Sequence, residues 1–135
     1  MDKARALVRL KCWEWMPGLA WVGAWAGDPG KPAVRGRILT TEELETLDCI
    51  AWFMDPADPD VFEDCRPVLD DPASEGLLLG MYRRASGHAE AWVEPVGPGM
   101  WQVNRRVGVC EEWLSGLHPS PMLAVVDALL RLEEG

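Results

Sequence analysis

The chain has 135 residues, 48% of them hydrophobic and eight of them Trp, which excludes a disordered chain and suits one domain. A chain of this length buries roughly two thirds of its surface on folding. Its 22 acids against 13 bases give a formal net charge of -9, a field that repels nucleic-acid phosphates and anionic lipid and is compatible with a basic or mixed protein surface.

Ala4, Leu7 and Val8 fall at i, i+3 and i+4 and predict a helix over Lys3 to Leu10. Trp13-Glu14-Trp15-Met16-Pro17-Gly18 breaks that pattern and ends on a Pro-Gly turn. Leu19 to Trp25 alternates with apolar residues on both sides, as a central strand does, and Ala33 to Leu39 reads as a second strand. Thr40 and Glu43 have the spacing of a capping box before Leu44, Leu47 and Ile50. Residues 49–54 fit a helix and a strand equally. Asp55 to Leu69 reads as a loop rich in Pro and Asp.

Asp71 followed by Pro72 has the form of an N-cap and first helical residue. Leu77, Leu78, Met81, Tyr82 and Ala85 form the inner face of that helix, and Gly87 stops it. Ala89 to Val96 and Met100 to Val109, joined by Gly97-Pro98-Gly99, read as a hairpin. Glu111 to Leu117 reads as a short turn or helix. Ser120-Pro121 starts a last helix in which Met122, Val125, Val126, Leu129 and Leu130 make one apolar stripe. The sum is a single α+β domain over residues 1–135, a mostly antiparallel sheet of about four strands with helices packed on one face.

No run of about 18 apolar residues marks a membrane span. The opening Met1 to Leu10, interrupted by Arg9, lacks the form of a signal peptide, so the expected location is the cytoplasm. There Cys12, Cys49, Cys65 and Cys110, which form no C-x-x-C pair, are expected as free and mostly buried thiols. Neither a metal nor another cofactor is expected.

Trp13-Glu14-Trp15-Met16-Pro17-Gly18, then Asp71-Pro72-Ala73-Ser74-Glu75-Gly76, then the Trp-containing hairpin with a helix ending in Ala124-Val125-Val126-Asp127-Ala128-Leu129-Leu130, occur in that order. Together they resemble a group of small uncharacterised proteins encoded by bacteriophages and prophages. Ser74 stands where that group usually has Thr, and residues 26–69 match nothing in it. The resemblance implies a phage or prophage origin and no assigned activity, so it carries over no catalytic residue. Small phage proteins include inhibitors of host defences.

Nucleophilic catalysis needs a nucleophile, a base and an orienting group. His88 and His118 are the available bases, and neither lies in a recognised catalytic motif. No phosphate-cradling loop is present. Asp55, Asp58 and Asp60, followed by Glu63 and Asp64, form the densest acidic cluster. Lacking the Gly and Glu of a calcium loop, it reads as a solvated loop, as a docking surface for a basic patch or as a mimic of DNA charge. Trp21, Trp52 and Trp101 sit in apolar patterns and are expected in the core. Trp13 and Trp15, flanking Glu14, are candidates for exposure. Trp92, beside Glu90 and Glu94, and Trp113, after Glu111-Glu112, complete an aromatic set rimmed with carboxylates.

The expected function is therefore that of a non-catalytic accessory protein of phage type, inhibiting a host system. It binds another protein through Trp13, Trp15, Asp55, Asp58, Asp60, Trp92 and Trp113. The alternative is a small hydrolase or metal-dependent enzyme that combines acids of residues 55–71 with His88 or His118. The apolar stripe of the last helix is also compatible with a homodimer.

Overall fold

Asp71 starts the long central helix as its position before Pro72 dictates. Its backbone is extended (φ -93°, ψ 116°), and its Oδ2 accepts from Ser74 N at 2.9 Å and from Ser74 Oγ at 2.8 Å. Gly87, in the left-handed region at φ 77°, closes the helix by donating its N–H to the Arg83 carbonyl. The computed structural model describes residues 3–25, 34–37 and 62–133. In chain order its elements are α1 (Lys3–Val8), β1 (Ala20–Trp25), β2 (Val34–Arg37), β3 (Phe62–Pro67), α2 (Pro72–Ser86), β4 (Trp92–Gly97), β5 (Met100–Val107), β6 (Cys110–Trp113) and α3 (Pro121–Glu133). The expected capping box at Thr40 and Glu43, the ambiguous segment 49–54 and Trp52 lie outside the described residues.

The fold is α+β with antiparallel pairing, as the hairpin pattern predicts. The strands fall into two sheets of three, β2-β1-β3 and β4-β5-β6. Two of them occupy segments with a different expectation. β3 crosses the predicted loop over residues 55–69 and pairs with β1 from Trp21↔Pro67 to Trp25↔Phe62. A bulge interrupts that ladder, since Val22 to Ala24 on β1 faces the longer step from Arg66 to Glu63 on β3. β6 replaces the turn or helix expected from Glu111. It folds back through Gly108 (φ 63°) and pairs with β5 from Val107↔Cys110 to Asn104↔Trp113. A four-residue run has no period that separates helix from strand, so ladder hydrogen bonds decide its state.

The predicted stripe of α3 is buried except for Leu130, which is half-buried. Met122, Val125, Val126 and Leu129 point inward together with Ala124 and Ala128, and each large side chain contributes roughly 1.5–3 kcal/mol. Ser120 caps this helix by accepting from Leu123 N at 3.1 Å. α3 contacts α2, β4 and β5. Leu78 and Met81 of α2 and Val103 of β5 share its core, with Leu7 of α1 and Leu19. Lys11 N donates to Glu133 Oε1 at 2.9 Å and ties the segment after α1 to the end of α3.

Ser74 joins two segments far apart in the chain. The hydroxyl that donates to Asp71 also accepts from Ala20 N at 3.0 Å, and the side chain is fully buried. Just upstream, Gly18 holds φ 98°, and a Cβ there would lie 2.9 Å from Leu77 Cδ1. The Pro17-Gly18 turn therefore sits directly on α2. Ser74→Ala leaves the Ala20 N–H without an acceptor and removes one bond from the cap. It is expected to cost about 1–3 kcal/mol, read as a lower urea midpoint at unchanged m-value.

Candidate functional site

Strands β4, β5 and β6 form a meander in which Trp92 pairs with Asn104 and Asn104 pairs with Trp113. Residues paired across antiparallel strands point to the same face. The two indoles thus flank Asn104 on the face opposite Val103, with their Cα atoms about 10 Å apart. Glu94, two residues beyond Trp92, shares that face and pairs with Gln102. Its Oε2 accepts from Trp92 Nε1 at 3.1 Å, and its Oε1 accepts from Asn104 Nδ2. Asn104 is 0% exposed, and its Oδ1 is buried with no partner. Gln102 is also buried and donates to the Ser115 carbonyl at 3.4 Å.

Exposed apolar side chains gather around this meander. Among the described residues, the large ones are Val96, Met100, Val107, Val109, Trp113 and Leu117. Val109, in the β5–β6 turn, is 100% exposed, and Trp113 is 71% exposed. Glu90, Glu111 and Glu112 supply exposed carboxylates nearby. Arg105 Nε bonds Glu112 Oε2 at 2.6 Å, and its Nη1 lies 2.9 Å from His88 Nδ1.

The predicted aromatic set divides. Trp92, half-buried, and Trp113 come together around Asn104. Trp13 and Trp15, expected to be exposed, are half-buried against the core, edge to face with centroids 5.2 Å apart at 88°. Aromatic pairing and core contact offer more than solvent does to two indoles held beside a tight turn. Trp21 and Trp101 pack against the core as expected. Asp55, Asp58 and Asp60 lie outside the described residues. Asn104 had no role in the sequence reading. Its signal was alternation, since Gln102 and Asn104 interleave with Trp101 and Val103 and mark a second, polar face. Cys110 is exposed and Cys12 half-buried, so neither is the buried thiol expected. Burial, then the charge of Glu133, pushes the Cys12 thiol pKa up.

The two histidines are held in separate structural settings. His118 pairs with Trp101 through backbone bonds of 2.7 and 2.9 Å. Its Nε2 lies 2.8 Å from Asp127 Oδ2, which also accepts from Gly116 N at 2.7 Å. Asp127 Oδ1 accepts from Arg131 Nε at 3.0 Å. This cluster fastens the segment after β6 to α3. Among the described residues, no hydroxyl or thiol bonds to either imidazole ring, and no three His, Cys, Asp or Glu side chains gather to hold a metal.

Burial raises the Asp127 carboxyl pKa, but the bonds from His118, Gly116 and Arg131 outweigh it and the net shift is downward. The ionised group then adds stability that is complete above its unfolded pKa of about 3.9 and is lost as pH falls through the lower folded value. Asp127→Asn is expected to cost about 1–3 kcal/mol at pH 7. In urea titrations the gap to the parent protein narrows as pH falls below about 4.

No helix of the described residues is long and apolar enough to cross a membrane. Compared with known proteins, the chain matches no family model, no curated protein and no solved structure.

Proposed function

We propose that this is a non-catalytic interaction protein, a phage-type accessory factor that inhibits a host system by binding one of its proteins through the β4–β6 meander. The observation that supports this reading is the concentration of exposed apolar side chains on and beside the meander, with Trp113 71% exposed next to Glu111 and Glu112. Trp is among the residues that most often dominate protein interfaces. The carboxylates around it select a basic or mixed partner surface. The net charge of -9, to which Asp55, Asp58 and Asp60 contribute, steers that partner in and keeps phosphate backbones away. β6 is an edge strand in its sheet, and Glu111 and Glu112 discourage indiscriminate strand addition there.

Trp113→Ala tests the reading. The side chain is mostly solvated, so the variant is expected to keep its stability within about 0.5 kcal/mol. Capture of the partner from host lysate is expected to fall about tenfold or more, as for a central interface Trp. Undiminished capture by the folded variant would sink the assignment of this face.

A further inference from the structure

We propose that the rung Trp92–Asn104–Trp113 receives an arginine side chain of the partner, with Asn104 Oδ1 and Glu94 as its acceptors. This rests on the reading of the meander as the binding face. The Asn104 amide is anchored at one end only. Its Nδ2 is held by Glu94, while Oδ1 has no partner and no exposure. A buried acceptor without a donor is an uncompensated cost, and a ligand that brings a donor removes it. The neighbouring group is a carboxylate whose two oxygens are oriented by Trp92 Nε1 and Asn104 Nδ2, so the donor that fits is cationic.

The walls agree with that charge. Indole faces attract cations, and guanidinium stacks on them better than ammonium because it is planar and weakly hydrated. Its several N–H groups reach a carbonyl and a carboxylate together, which a single ammonium does less well. The pairing register sets the two Trp backbones about 10 Å apart with Asn104 between them, so a planar cation stacks above the amide. Asn104 is closed to solvent, so binding requires Trp113, the exposed side chain on the edge strand, to turn aside. The chain's own Arg106 shares this face, yet it is exposed and bonds neither Glu94 nor Asn104.

The test titrates the isotope-labelled full chain at low salt with an acetyl-Gly-Arg-Gly-amide peptide and with its citrulline counterpart, following the Trp indole N–H signals by NMR. Citrulline keeps the shape of arginine and loses the charge. The expected result is saturable shifts at Trp92 and Trp113 with the arginine peptide, about tenfold weaker binding of the citrulline peptide, and weakening at higher salt. Glu94→Gln and, separately, Trp113→Ala are expected to lower affinity about tenfold, and the exposed Trp113 makes the second variant a safe folder. Equal binding of the two peptides, shifts confined to other indoles, or no saturation overturns the pocket. If Trp113→Ala abolishes capture of the host partner while the arginine peptide fails to bind, the face stands and the arginine pocket falls.

Discussion

The Ser74 hydroxyl is the joint on which the two halves of this structure meet. It donates to the cap residue Asp71 and accepts from Ala20 N at the start of β1, with no exposure to water. A buried hydroxyl that satisfies both roles is geometrically demanding, because its donor and acceptor directions are fixed relative to one another. It therefore couples the start of α2 to the first sheet. Gly18 completes the joint, since its positive φ and missing Cβ let the preceding turn lie against Leu77. The Pro17-Gly18 turn and the helix that begins at Asp71-Pro72 are thus in contact, and a packing reason accounts for both.

From that joint, α2 leads through Gly87 to the β4–β6 meander, whose two faces differ in composition. One face supplies Val103 and Trp101 to the core shared with α3. The other carries buried amides, an oriented carboxylate and two Trp side chains. A face built only for stability would place apolar residues at 102 and 104, because buried polar groups must each find a partner to break even. Asn104 Oδ1, like Trp13 Nε1, is a local departure from that rule, and such departures occur at functional or strained sites.

Legibility in the sequence followed the range of the forces involved. Asp71-Pro72, Gly87 and Ser120-Pro121 were readable because a cap is decided by three or four consecutive residues. The stripe of α3 was readable because its period spans three turns. β3 was missed because Phe62–Pro67 lies in a stretch dense with Asp and Pro, whose local preference is for loops. β6 was missed because Cys110-Glu111-Glu112-Trp113 has adjacent acids and no alternation. In both, pairing with a distant or preceding strand overrides a weak local bias. Trp13 and Trp15 looked exposed beside Glu14, and neighbours brought in by the fold covered them.

The sequence by itself determined the class of the fold, the helix ends, the buried stripe and the acidic field, since each depends on composition or on residues close in the chain. It also marked Trp92 and Trp113 as unusual. Only the tertiary structure decided that these two indoles stand on one rung with Asn104 between them. A shift of register by one residue would send either indole to the opposite face, and no local pattern in β6 sets that register. Register belongs to the pairing of strands, and so does the candidate site.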